Sequence, residues 1–336
     1  MTTPNRYDNI SATKYLIGRK GDDKMETILS VSELKKSYKD HEVLKGVSFN
    51  VKKGGIFALL GSNGAGKTTM INILATLAKS SGGKASICGY DCHAEQAKVK
   101  KSISLTGQYA TVDGLLTGRE NLILISKLKR IKDPVRKAEE LLEKFNLTKS
   151  ADKRSSTYSG GMRRRLDIAM SLIGNPKVIF LDEPTTGLDP QNRIAMWELV
   201  KEMANSGITI FLTTQYLEEA ESLADDIAVL HDGKIVANGT ADELKELLPK
   251  GMIRFTFASD NELSKAELEL AEYPIVSKEV DDFCISILTE GRVDELTKIL
   301  IKLKHANIQV SKLEQVTPTL EDAFLAIIGH KKEGDK

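Results

Sequence analysis

The sequence predicts an α/β fold: a largely parallel sheet with flanking helices, interrupted by a helical insert and followed by a small α+β domain. Three observations predict it. A continuously apolar run, Ile56-Phe57-Ala58-Leu59-Leu60, ends in the glycine-rich stretch Gly61-Ser62-Asn63-Gly64-Ala65-Gly66-Lys67-Thr68-Thr69, and helical spacing follows. A second buried-type run, Val178-Ile179-Phe180-Leu181, ends in the paired acids Asp182 and Glu183. Near residue 248 the pattern changes to short alternating strands and amphipathic helices.

The elements can be justified in chain order. Val47 to Val51 alternates apolar and polar residues, the pattern of a half-buried strand. After the glycine loop, Met70, Ile71, Ile73, Leu74 and Leu77 recur at helical spacing until Ser80-Ser81-Gly82-Gly83 stops them. Residues 109–175 read mainly as helix, with Asp133-Pro134 separating Asn121–Lys129 from Arg136–Phe145. Strand signals return at 177–182 and 208–213 around a helix containing Trp197, and Asp225 to Ala237 reads as a hairpin turning at His231-Asp232-Gly233. Beyond Leu248-Pro249-Lys250-Gly251 comes a βαββαβα order: Ile253, Phe255 and Phe257 alternate, a polar helix follows, then two strands around 275–288, a helix from Val293, a strand near 308–316 and a helix starting at Thr319-Leu320-Glu321-Asp322. The expected domains are therefore a disordered extension at 1–24, a nucleotide-binding domain at 25–248 with its insert at 109–175, an α+β accessory domain at 249–330 and a tail at 331–336.

Charge and composition exclude several classes. The 48 basic and 47 acidic residues leave a net charge of +1, so no strong field points to nucleic acid as a partner. No apolar run approaches the ~20 residues that span a bilayer, and residues 1–24 lack the apolar core of a secretory signal. Met25 reads as an alternative start. Three cysteines fit a reduced compartment, not a disulfide framework. Cys88, Cys92 and His93 lie close together without a fourth ligand nearby, and read as ordinary strand and turn residues.

The chemistry is carried by motifs at fixed spacing. A triphosphate needs many donors close to its oxygens; glycines let the backbone approach, and the following helix aims free N–H groups at the phosphates. In Gly61, Ser62, Asn63, Gly64, Ala65, Gly66, Lys67, Thr68 and Thr69 the lysine is expected at the β and γ oxygens and Thr68 on Mg²⁺. Asp182 suits the same Mg²⁺, and Glu183 is placed to orient or deprotonate an attacking water. Tyr158-Ser159-Gly160-Gly161 opens a helix with Arg163, Arg164 and Arg165, making a second anion site from a hydroxyl, glycine backbone and a helix start; the arginines by themselves would be a solvated face.

In this combination the residues resemble the ATP-binding subunit of ATP-binding-cassette transporters over about residues 27–245. Leu105-Thr106-Gly107-Gln108-Tyr109-Ala110, Leu116 to Leu122 and the tail Thr317 to Leu325 are similar to the daunorubicin-resistance type of drug exporter ATPase. The resemblance implies a P-loop NTPase fold with an antiparallel β subdomain and a helical insert. It implies an ATPase that uses ATP and Mg²⁺, pairs with a second nucleotide-binding subunit, expected to be another copy, and sits at the cytoplasmic face of the membrane through a separate integral-membrane permease. A drug, lipid or other amphiphile would be the cargo. By the same resemblance Tyr38 stacks on adenine, with a core tyrosine as the alternative. Gln108 touches Mg²⁺ and the lytic water, while Ser159, Gly160, Gly161 and Asp189 serve the nucleotide of the opposite subunit. Gln215 stands where most such ATPases have histidine. An amide donates to a phosphate oxygen but carries neither proton nor charge, which leaves binding intact and puts the rate of hydrolysis in question. Two other readings stay open at this stage: a soluble ATPase clamp acting in DNA repair or translation, and a slowly hydrolysing nucleotide-gated regulator, motivated by Gln215 and the appended domain.

Overall fold

A computed structural model of the chain describes residues 26–108, 111–247, 251–289, 292–316 and 319–329. The expected disorder at 1–24, the tail at 331–336 and the boundary at 248/249 all lie outside the described residues. Among the described residues the chain separates into two compact units, one ending at Thr240 and one beginning at Ala241.

The first unit begins with a twisted hairpin, β1 (Thr27–Tyr38) and β2 (His41–Lys52), then enters the main sheet through β3 (Gly55–Leu60). The glycine loop leads into α1 (Lys67–Leu74), after which β4 (Gly82–Ile87) and β5 (Tyr90–Asp91) return to the hairpin, giving an antiparallel sheet of order β2-β1-β4-β5. The alternation at Val47–Val51 marks only the inner part of β2, and β1 and β4 escape the sequence pattern. Their pairing is broken by register shifts that interrupt a period-2 signature. Helix α1 also ends earlier than its apolar spacing implies. Thr76 takes a left-handed φ of 61°, turning Leu77 outward to 64% exposure.

From α2 (Gln96–Ser102) the chain passes into β6 (Ile103–Thr106) and then the helical insert, α3 (Gly118–Leu128), α4 (Pro134–Lys144) and α5 (Gly160–Ser171). Thr117 caps α3 in a reciprocal box with Glu120, and Asp133 caps α4 with Pro134 at its first position. The main sheet is completed by β7 (Val178–Asp182), α6 (Pro190–Asn205), β8 (Thr209–Thr214), α7 (Leu217–Leu223), β9 (Asp226–His231) and β10 (Lys234–Gly239). Its order is β10-β9-β3-β8-β7-β6, parallel except for the edge strand β10. The hairpin turns at Asp232-Gly233, where both residues have positive φ. Strands β7 and β8 are buried along their whole length, as parallel strands covered on both faces must be. A run of rings, Phe49–Phe57 at 5.2 Å, Phe57–Phe211 at 5.2 Å and Phe180–Phe211 at 5.3 Å, joins the antiparallel sheet to the main one. Cys92 packs into this core, where burial pushes its thiol up to about 12.

The second unit holds α8 (Ala241–Lys245), β11 (Gly251–Phe257), α9 (Asp260–Glu269), β12 (Ile275–Glu279), β13 (Cys284–Thr289), α10 (Val293–His305), β14 (Val310–Val316) and α11 (Leu320–Gly329). Its sheet is antiparallel with order β12-β13-β11-β14, and Ile253, Phe255 and Phe257 meet Leu263, Ile285, Ile287, Ile299 and Leu303 in a separate core. Thr319 caps α11 through Asp322, the start read from the sequence.

Phe211 is the ring shared by three aromatic contacts and is fully buried. Replacing it with alanine is expected to cost about 3–5 kcal/mol, measurable as a shift of the urea midpoint at unchanged m-value.

Candidate functional site

The site forms where three adjacent strands end together. β3 pairs with β8 so that Leu60 faces Thr214, and β7 pairs with β8 so that Asp182 faces Thr213. The segments that leave these strands, the Gly61 loop, Glu183 and Gln215, therefore emerge along one edge. The Gly61 N–H donates to Thr214 O at 3.1 Å, fastening the loop to the neighbouring strand. A Cβ on residue 61 would lie 2.4 Å from Leu230 O, so only glycine permits this approach. Gly66 caps α1 with φ 108°, turning the chain so that the first-turn N–H groups of the helix face outward without intrahelical acceptors.

Lys67 is buried, 5% exposed, and its Nζ donates to Gly61 O at 2.8 Å and Ser62 O at 3.1 Å. The same ammonium lies 3.3 Å from Glu183 Oε1. Thr68 Oγ1 donates to Asp182 Oδ2 at 3.1 Å, and Thr213 Oγ1 donates to Asp182 Oδ1 at 2.6 Å. Gln108 Nε2 donates to Glu183 Oε2 at 3.3 Å, and Thr186 Oγ1 donates to the same oxygen at 3.2 Å. Asn63, Gly64, Gly66, Lys67, Thr68, Thr69, Gln108 and Glu183 line one pocket together with Val43. A buried ammonium held by carbonyl oxygens, beside an open row of helix N–H groups, fits an anionic phosphate chain. A hydroxyl touching a carboxylate beside it fits a hard divalent cation such as Mg²⁺.

Not every residue expected at the nucleotide lines this pocket. Tyr38 ends β1, 48% exposed, with the Lys36 ammonium 4.6 Å from its ring centroid, which excludes a core tyrosine. Ser159 caps α5 by accepting from Met162 N, and Gly160 beside it is exposed. Gly161 is buried because Asn192 lies against it; a Cβ there would sit 2.5 Å from Asn192 Oδ1. Asp189 is exposed, caps α6 and accepts from the Asn192 side chain at 2.6 Å; its hydrogen bonds hold its carboxyl below the usual carboxylate range. Within one chain these four residues stand apart from those that line the pocket.

A family described as ABC transporter matches residues 44–186. The daunorubicin resistance ATP-binding protein DrrA2 of Streptomyces coeruleorubidus is 40% identical over 304 residues, covering 89% of this chain and 94% of that protein. This chain belongs to the ABC transporter family. The doxorubicin resistance ATP-binding protein DrrA of Mycobacterium tuberculosis is 41% identical over 311 residues, covering 88% and 92%. Among solved structures, a dimeric ATP-binding cassette in a post-hydrolysis state bound to ADP and Pi aligns with TM-score 0.58 and 27% identity, over 63% of this chain and 98% of that one. The ATP-binding subunit of an ABC transporter aligns with TM-score 0.60 and 30% identity, over 66% and 93%. The protein is thus an ABC-type ATPase on a P-loop NTPase fold. Among the described residues no helix is long and apolar enough to cross a membrane.

Several residues of this ATP-binding subunit were not singled out from the sequence. Thr213 and Thr186 donate to the carboxylates of Asp182 and Glu183; the signals are the threonine pair Thr213-Thr214 closing an apolar run, and a threonine three residues after Glu183. Arg164 leaves the expected solvated face altogether and is buried, while Arg163 stays exposed. Glu219 on α7, four residues after Gln215, is fully buried; its Oε1 accepts from Thr185 Oγ1 at 2.8 Å and Trp197 Nε1 at 3.3 Å. Burial pushes its carboxyl above the usual range, against the pull of these bonds and of Arg193.

A carboxyl that is harder to ionise when folded stabilises the fold below its unfolded pKa and loses that contribution as pH rises to the folded value. Glu219→Gln is therefore expected to become more stable relative to the parent as pH climbs above about 4.3, the ordinary glutamate value. Denaturant unfolding of both proteins across about pH 5–8 checks the sign: parallel curves would contradict it.

Proposed function

We propose that this chain is the motor subunit of an exporter, working as two nucleotide-binding subunits beneath a separate integral-membrane permease at the cytoplasmic face of the membrane. One observation carries the reading. Lys67, Thr68, Gln108 and Glu183 line one pocket, with Asp182 bonded to Thr68, while Ser159, Gly160, Gly161 and Asp189 lie elsewhere on the same chain. A second copy supplies that missing half when it turns its own Ser159–Gly161 segment toward the first copy's loop. The relatives support export as the role of the motor. The two described above are named for daunorubicin or doxorubicin resistance, and another, from Rhizobium etli, is a Nod factor export ATP-binding protein at 34% identity. An amphiphilic molecule, drug-like or lipid, is the corresponding cargo.

The chemistry follows from the side chains. The glycine loop and the first-turn N–H groups of α1 cradle the β and γ phosphates of ATP, and Lys67 exchanges its carbonyl partners for phosphate oxygens. Thr68, Asp182 and Gln108 would hold Mg²⁺, which when bound neutralises phosphate charge. Glu183 accepts a proton from the attacking water, whose oxygen bonds to the γ phosphorus as the bond to the β-phosphate oxygen breaks, giving ADP and phosphate. Gln215 donates a hydrogen bond to the γ-phosphate and leaves proton transfer to Glu183. Tyr38, exposed at the end of β1, stacks on adenine. Closure of the pair moves the Gln108 loops, and the permease helices docked on them follow.

Glu183→Gln keeps the hydrogen-bonding shape and removes the base. Turnover is expected to fall about 10²–10⁴-fold while ATP drives a stable dimer. Light scattering at saturating Mg·ATP reads it, and a protein that stays monomeric would sink the paired-subunit reading.

A further inference from the structure

We propose that Arg164 is a positioning residue for ATP hydrolysis: one buried guanidinium fixes the backbone around both residues that handle the attacking water. The proposal rests on the ATPase reading of Glu183 and Gln108 given above. Arg164 lies in the first turns of α5 and is 6% exposed. Its Nη2 donates to Asp182 O at 3.2 Å and its Nε to Pro184 O at 3.0 Å, the carbonyls on either side of Glu183. Its Nη1 donates to Gly107 O at 2.5 Å, the carbonyl immediately before Gln108. A single planar fork thus holds two segments that come from different strands.

The held segments need holding. Glu183 has φ 48°, a left-handed conformation that a non-glycine residue keeps only when its surroundings enforce it. Bonds to the carbonyls before and after it do so, together with the Glu183 N–H bonded to Thr213 O at 3.1 Å. The counter-ion completes the frame. Asp167, one turn along α5, is 3.5 Å from Arg164 Nη1, and its Oδ1 accepts from Thr111 N at 3.0 Å and Thr111 Oγ1 at 2.7 Å. Arg164 thus holds Gly107, the residue before Gln108, while Asp167 holds Thr111. Burial opposes both charges, lowering the guanidinium's pKa and raising the carboxyl's, so the pair is kept for the bonds it makes and not for solvation.

Because Ser159 caps α5, the same pair ties the helix start offered to a partner subunit to the residues that cut the nucleotide. A lysine at 164 keeps a positive charge beside Asp167 but cannot reach three carbonyl oxygens in one plane.

The test is steady-state ATP turnover and equilibrium binding of a fluorescent ATP analogue, on the full chain with Mg²⁺. Arg164→Lys is expected to lower kcat about 10–100-fold, the scale of a small misplacement of reacting groups, with KM and nucleotide Kd unchanged. A merely structural cation would lower the melting temperature and leave kcat per folded molecule intact; that result, or a loss confined to KM, overturns the proposal. Should Arg164→Lys not fold, Thr111→Val at an exposed position decides: about a threefold fall in kcat at unchanged Kd supports the frame, and unchanged kcat removes it. Glu183→Gln run alongside separates the two readings. Full turnover there defeats the ATPase assignment itself, whereas full turnover in Arg164→Lys with Glu183→Gln inactive defeats only the positioning role.

Discussion

Everything at the site depends on the register of three parallel strands. Leu60, Thr214 and Asp182 reach the same edge because β3, β8 and β7 pair without a slip, residue against residue. A shift of one place would turn each side chain to the opposite face, breaking the packing on both faces and moving the glycine loop away from Glu183. The register is held by burial on both faces and by the run of phenylalanine rings along β3, β8 and β7. The polar bonds at the strand ends, Gly61 N to Thr214 O and Thr213 Oγ1 to Asp182 Oδ1, work only in that register. Apolar packing far from the chemistry thus sets the distances within it.

Among the described residues, five charged side chains are kept inside the first unit. Lys67, Asp182, Arg164, Asp167 and Glu219 are all buried. Removing such groups from water costs several kcal/mol each, and here local carbonyls and hydroxyls meet most of that cost. Lys67 rests on two loop carbonyls, Asp182 on two threonines, and Arg164 on three carbonyls. Lys67 differs from the others in one respect. Its partners belong to a glycine loop beside an open pocket, so they are exchangeable for phosphate oxygens, whereas the partners of Arg164 are locked in strand ends.

Legibility in the sequence followed the same physics. The strand, loop and helix around Lys67, the strand ending in Asp182-Glu183 and the βαββαβα order of the second unit were readable because each is set by local periodicity and turn chemistry. β1 and β4 were not, since bulges interrupt their alternation. Nor was the end of α1, because a left-handed threonine leaves no compositional mark. Among site residues, Ser159 and Asp189 were visible as motif members, and the structure adds that each caps a helix. Arg164 was hidden between two other arginines; only the tertiary packing of α5 against the ends of β6 and β7 distinguishes the middle one. Glu219 was hidden similarly, as one acid among Glu218, Glu219 and Glu221 on a short helix.

The contact between Gly161 and Asn192 joins the starts of two helices, α5 and α6. Asn192 is held by Asp189 and lies so close to Gly161 that not even a methyl group fits between them. The starts of α5 and α6 therefore touch directly at this seam. Any side chain larger than hydrogen at 161 would have to push Asn192 aside and, with it, one partner of the Asp189 carboxylate that caps α6, so a change at the start of one helix would be felt as a loosened cap on the other.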